Sequence, residues 1–291
     1  MNDTPAIYRV GNATITKVIE KQFSLKAAVL FPDFDPAVID EHGSWLAGAH
    51  LDATQQGFIL SIHTWVVRSG GQTILVDTAC GNHKERLFSP IFHQLNTPYI
   101  ERLAQAGVKP EDVDIVLLTH LHVDHVGWNT SLRDGLWVPT FPNARYVLAT
   151  VEREFFDTPA GESRRMVFED SVLPVIEAGL TDEIGPQGGE YLPGIHFHPT
   201  PGHSVGHMSI EFESAGERAL FTGDVWHHPI QAYRPHWSSM FCADRSGAER
   251  SRRWVLNRAA DTGAMLFTPH FAGTSAGTAL RDGECFAWRF S

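Results

Sequence analysis

The chain has 291 residues, 43% hydrophobic and 20% charged, proportions ordinary for a globular enzyme. Its formal net charge of −11, without any Lys/Arg-rich run, argues against a nucleic-acid partner, whose phosphates must be neutralised by cationic side chains. Three cysteines, Cys80, Cys242 and Cys285, are an odd number with no framework spacing, so a disulfide-stapled secreted fold is not expected.

The opening Met1-Asn2-Asp3-Thr4-Pro5 has neither the positive nor the apolar region of a signal peptide. No apolar stretch approaches the roughly 20 residues that a membrane helix needs. A cytoplasmic protein with no membrane partner is the expectation. Strands are predicted at residues 13–19, 58–67 and 73–77, with a turn signal at Gly70-Gly71. Between the first two, residues 23–58 mix Leu25, Phe31, Phe34, Trp45 and Leu51 with Asp, Gly and Pro in no clean period. That segment reads either as an apolar flap near a site or as an irregular insertion packed on the core. A helix is predicted over residues 98–106, where Tyr99, Leu103 and Ala106 share a face and Gly107 stops it. Ser246-Gly247-Ala248-Glu249 reads as a capping box opening a helix that runs to Thr262 and ends at Gly263. Strands and helices mix without strict βαβ alternation, and no Gly-x-Gly-x-x-Gly follows a strand. A layered α/β or α+β sandwich is therefore favoured over a dinucleotide-binding fold. With no repeat and no linker, one domain spanning residues 1–291 is expected.

The densest chemistry lies in Thr119-His120-Leu121-His122-Val123-Asp124-His125, directly after the apolar run Ile115-Val116-Leu117-Leu118. Imidazole and carboxylate bind zinc and similar divalent ions, at about 2.0–2.2 Å. In extended chain, side chains two apart point the same way, so His120 and His122 can close on one ion. Asp124 and His125, past the turn, can reach a second. Three further junctions repeat the arrangement: Thr200-Pro201-Gly202 leads to His203, Ala219-Leu220-Phe221-Thr222-Gly223 to Asp224, and Ala264-Met265-Leu266-Phe267-Thr268-Pro269 to His270. Loops at the ends of rigid strands are how a site is held in place.

His-x-His-x-Asp-His followed by Gly-His, Gly-Asp and a last His resembles the metallo-β-lactamase-fold hydrolase superfamily along most of the chain. Its layout is closest to the lactonase and methyl-parathion-hydrolase branch. The resemblance implies an αββα four-layer sandwich, two mixed sheets face to face with helices outside. It implies two divalent metal ions, zinc foremost: His120, His122 and His203 on one, Asp124, His125 and His270 on the other, Asp224 bridging. Leu75-Val76-Asp77-Thr78 looks like the superfamily's first motif, whose Asp supports the site. Relatives are often homodimers.

The function expected on these grounds is hydrolysis of small, fairly apolar esters, above all lactones, by a hydroxide shared between two ions whose joint charge acidifies water. Asp124 is expected both to bind metal and to orient that nucleophile. His227 stands where homoserine-lactone-cleaving members often have Tyr, and is a candidate to donate a proton or hydrogen bond. An organophosphate triester hydrolase is the alternative, and an iron-dependent dioxygenase of the same fold a further one. Trp128, Trp226, Trp237 and Phe241 are candidates for a substrate pocket or for core. His196 and His198 read as same-face structural histidines, and all three cysteines as packing.

Overall fold

The computed structural model describes residues 6–283 and 285–291. Its first half contains β1 (Ile7–Val10), β2 (Ala13–Lys26), α1 (Ala27–Leu30), α2 (Ala37–Ala49), β3 (Gly57–Ser69), β4 (Gln72–Val76), α3 (Tyr99–Gln105) and β5 (Ile115–Leu117). There follow a hairpin, β6 (Thr130–Arg133) and β7 (Leu136–Pro139), then β8 (Arg145–Ala149), α4 (Thr150–Phe155), α5 (Arg165–Ser171), α6 (Leu173–Glu177) and β9 (Thr181–Ile184). The second half contains β10 (Gly189–Leu192), β11 (Ile195–Pro199), β12 (Met208–Ser214), β13 (Glu217–Phe221), α7 (Ile230–Tyr233), α8 (Arg245–Thr262), β14 (Met265–Phe267), β15 (Ala276–Asp282) and β16 (Cys285–Phe290).

Two seven-stranded sheets result, in the orders β1-β2-β3-β4-β5-β8-β9 and β10-β11-β12-β13-β14-β15-β16. In the first, β4, β5, β8 and β9 pair parallel. In the second, β13 and β14 form the parallel pair. Both sheets are mixed, and the reason for the layering is visible in single strands. Ile115 and Leu117 of β5 join Phe221 and Phe267 between the sheets, whereas Val116 packs with Tyr99 and Leu103 of α3 outside. On the other side Leu220 and Leu266 meet Val255, Leu256 and Ala259 of α8. Strands apolar on both faces need cover on both. The αββα sandwich follows.

Where the prediction and the structure part, the cause is local. The helix read from Ser246 begins at Arg245, with the extended Asp244 before it, so Ser246 and Glu249 lie inside α8 rather than capping it. Gly263 does end it, at φ +69°. Residues 23–58 are more regular than their composition suggests. Residues 23–26 prolong β2, α1 and α2 follow, and Leu30, Phe31, Val38 and Leu46 bury against Phe58, Leu60, Ile230 and Trp237. Cys285, expected to be packed, is exposed, whereas Cys80 is buried. His196 and His198 share a face of β11, their rings 4.5 Å apart.

Helix α8 is tied to the second sheet by Arg258, whose Nε and Nη2 donate to the two carboxylate oxygens of buried Glu211 at 2.8 and 2.9 Å. Burial alone would raise the Glu211 pKa, but the His198 ring 3.7 Å away and the hydrogen bonds and charge of Arg258 hold it down to about 2. A carboxylate depressed in the fold adds stability that is present above its ordinary pKa and lost as pH falls through the depressed value. Glu211→Gln is therefore expected to be less stable than the parent at pH 7 by about 1.5–3 kcal/mol, the worth of a charged hydrogen bond. The gap should close between about pH 4.5 and 2. Urea melts of both proteins across that range check it; a gap that does not change with pH would refute the assignment.

Candidate metal centre

Every donor named from the sequence sits just past a strand end, and the strands deliver them to one place. Asp77 follows β4, the 119–125 loop follows β5, His203 follows β11, Asp224 follows β13 and His270 follows β14. Gly223, at φ +53°, leaves no room for a side chain, because a Cβ there would collide with the His207 ring. That close approach explains the glycine before Asp224.

Asp224 lies at the middle. Its Oδ2 is 3.1 Å from His203 Nε2 and 3.8 Å from His120 Nε2. Its Oδ1 is 3.0 Å from His270 Nε2 and 3.2 Å from His125 Nε2. Asp124 closes the second group, with Oδ2 3.7 Å from His270 Nε2 and Oδ1 3.9 Å from His125 Nε2. His122 closes the first, its Nδ1 2.8 Å from His203 Nε2. Donor atoms of His120, His122 and His203 cluster within 4.8 Å of one another, as do those of Asp124, His125 and His270, and those of His120, His125 and Asp224. His120 Nε2, His125 Nε2 and Asp224 Oδ1 are buried without a hydrogen-bond partner in the protein. Unpaired buried polar atoms are costly. Their convergence, and the nitrogen-and-carboxylate chemistry of the set, fit a pair of divalent cations with Asp224 between them.

Hydrogen bonds behind the donors turn them inward. Asp77 Oδ2 accepts from His125 Nδ1 at 2.8 Å, and Asp77 Oδ1 accepts the Thr119 N–H at 2.9 Å, so this carboxylate supports the site from outside it. His270 Nδ1 donates to the Ser61 carbonyl at 3.1 Å. Each bond fixes a tautomer and presents Nε2 to the centre. Burial drives His120 and His203 well below the ordinary histidine pKa. It acts on His125 and His270 too, but the Asp224 carboxylate and its acidic neighbours outweigh it and raise both.

His207 escaped the sequence reading. It is fully buried, its Nε2 accepts the Asp224 N–H at 2.8 Å and its Nδ1 meets Thr200 Oγ1 at 2.9 Å. Burial lowers its pKa to about 3, which keeps the ring neutral and able to accept. Its one signal in the chain is that Gly202-His203 recurs as Gly206-His207.

His227 is buried at the floor of the site, Nε2 3.2 Å from Ser239 Oγ and 3.5 Å from Asp224 Oδ2. His228 turns away and stacks on Phe58 at 3.9 Å. Above the donors opens a cavity of about 660 Å³, walled by Phe23, Phe88, Phe92, Phe155, Phe156 and Phe241. Of the candidate aromatics only Phe241 lines it. Trp226 stacks on Phe271, Trp237 packs under α1 and α2, and Trp128 stacks on Tyr99, all buried.

The family model described as "Metallo-beta-lactamase superfamily" matches residues 58–270. The chain belongs to this superfamily. Its fold and family are those of metal-dependent hydrolases. An N-acyl homoserine lactonase of Bacillus cereus is 30% identical over 177 residues, 55% of this chain and 63% of the relative, which is thus matched over less than two thirds of its length. The probable metallo-hydrolase YybB of Bacillus subtilis (strain 168) is 24% identical over 185 residues, 60% of this chain and 69% of that protein. Among solved structures, the beta lactamase superfamily hydrolase AbOPH superposes with TM-score 0.82 at 24% identity, covering 99% of this chain and 97% of its own. AidC, described as a dizinc quorum-quenching lactonase, gives TM-score 0.76 at 19% identity over the same shares. Both structures share this sandwich from end to end. Among the described residues no helix is long and apolar enough to cross a membrane.

Proposed function

We propose that this protein is a dinuclear-metal hydrolase of small, fairly apolar esters, lactones foremost, built on a single domain. The observation that carries the reading is Asp224, with His120 and His203 beside one carboxylate oxygen and His125 and His270 beside the other. His120, His122 and His203 would hold one cation, Asp124, His125 and His270 the second. Two divalent ions, zinc foremost, would supply an acidified water and an electrophilic contact for the substrate oxygen. The phenylalanine-walled cavity selects an apolar substrate and excludes bulk water from it. Similarity to a Bacillus cereus homoserine lactonase supports the lactone class.

Asp124, at the cavity wall, orients the nucleophile and receives its proton. His227 lines the cavity and, its pKa lowered by burial, would offer an N–H hydrogen bond to the departing alkoxide, which takes up the proton that Asp124 received. Segment 23–58 works as a fixed flap: Phe23 and Leu25 enter the cavity wall while α2 anchors behind them. His227→Phe, which removes the N–H donor, is expected to lower kcat by about 10²–10³-fold while the metal content stays that of the parent. Unchanged kcat would remove His227 from the mechanism.

The aromatic wall also suits an aryl phosphotriester, which the same donors could cleave. Protein reconstituted with zinc, manganese or cobalt and assayed on lactones, aryl esters and phosphotriesters separates the readings. Turnover highest on lactones is the expected result, and a preference for phosphotriesters reverses the order. Iron as the native metal together with oxygen uptake would overturn hydrolysis altogether.

A further inference from the structure

The donors of the first cation come from two loops, 119–125 and 200–207, and one side chain joins these loops without belonging to either. Glu152, on α4, is 3% exposed. Its Oε2 accepts the N–H of Leu121, between His120 and His122, at 3.1 Å. Its Oε1 accepts the N–H of Gly206, three residues after His203, at 2.7 Å. Both oxygens are thereby occupied by backbone donors, and Glu152 appears in none of the convergent donor clusters.

We propose that Glu152 is a positioning residue for the first cation, clamping the loop of His120 and His122 onto the loop of His203. The reading rests on the two-cation centre proposed above and adds to it a device that none of its donors provides. Glu152 borders the cavity, and its two bonds link the loops whose His122 Nδ1 and His203 Nε2 lie 2.8 Å apart. A carboxylate can accept two N–H groups at once, whereas an amide has one oxygen and would set its NH₂ against the second N–H. Helix α4 follows β8 directly, and β8 pairs with β5 beside the first loop, so the acceptor is fixed by the sheet itself. Gly206 fits the same picture, because a Cβ there would lie 2.8 Å from the Glu152 nitrogen. The second group has its own supports, Asp77 behind His125 and the Ser61 carbonyl behind His270, and neither touches Glu152. Asp124 and His125 share loop 119–125 with His120 and His122, but the second group keeps its own supports, so loss of Glu152 should be felt chiefly at the first cation.

The test is zinc binding by chelator competition on full-length protein, comparing the parent, Glu152→Gln, His203→Ala and His270→Ala. The expected result is two zinc ions per chain in the parent and a 10–100-fold weaker affinity for one of them in Glu152→Gln, the range known for groups that orient ligands. The weakened ion should be the one lost in His203→Ala and kept in His270→Ala. Parent-like affinities for both ions in Glu152→Gln overturn the proposal. So does an equal weakening of both that tracks a lower melting temperature of the chelator-treated protein, since that is a general packing role. A parent that takes fewer than two ions defeats the two-cation reading, and the clamp with it, and is recognised before any variant is made. If Glu152→Gln does not fold, Glu152→Asp, which keeps the charge but draws the carboxylate back from both N–H groups, probes the same bonds, with the same selective loss expected and two unchanged steps counting against it.

Discussion

Asp224→Ala is expected to deprive the centre of cations and to lower kcat/KM by roughly 10³-fold or more, the scale on which a catalytic unit fails when a member is removed. The reason is geometric. Asp224 Oδ2 faces His203 at 3.1 Å and Oδ1 faces His270 at 3.0 Å, so a single carboxylate is shared by the two donor groups. Burial alone would raise its pKa, but His270, His125 and His203 keep it well below the ordinary carboxylate range, so it is present as an anion. Alanine would remove the one anionic group shared by the two donor groups and leave His120 and His203 without a carboxylate beside them. Asp224→Asn keeps the shape and one oxygen, and should retain part of the metal with little turnover. Elemental analysis of purified protein, with circular dichroism to show that the fold persists, checks both. Two ions per chain and full turnover in Asp224→Ala would show that the two groups do not depend on a shared ligand.

The site was legible in the sequence to the extent that each donor follows a buried strand. His120, Asp224 and His270 come three residues after the apolar runs 115–117, 219–221 and 265–267, whose character fixes both the strand and its end. From the mixing of strands and helices alone only a layered sandwich could be read; the αββα arrangement came with the resemblance of the ligand motifs, and its physical cause, strands apolar on both faces, is visible in the fold. The supports were harder to see. Glu152 sits on a short helix in the run Glu152-Arg153-Glu154, where an acid among charged residues looks like a solvent-facing position. His207 acts by accepting a backbone N–H and pressing on Gly223, a contact made only in the fold. The Ser61 carbonyl that orients His270 is backbone and has no sequence signature. The same holds for residues 23–58: their helices are stabilised by Phe58, Ile230 and Trp237 from distant positions rather than by their own periodicity.

Chelation should cost this protein much of its thermal stability. A ligand that binds only the folded chain adds RT ln(1 + [L]/Kd), about 4 kcal/mol when the free cation exceeds Kd a thousandfold. For a domain somewhat smaller than this one each kcal/mol moves Tm by roughly 2–4 °C, so dialysis against EDTA is expected to lower Tm on the order of 10 °C, and zinc to restore it. The effect should be large here because donors from four strand tips in both sheets converge, and a cation therefore ties the two sheets together. Its pH dependence has a definite sign. Asp224 and its acidic neighbours raise His125 and His270 above the ordinary histidine pKa, so protons compete with cations for these two rings. Zinc uptake should release protons into a weakly buffered solution and should weaken already before pH falls to about 6.5, the ordinary histidine value that both rings exceed. A melting temperature indifferent to EDTA, or zinc uptake without proton release, would mean that cations do not occupy the space between Asp224 and these imidazoles.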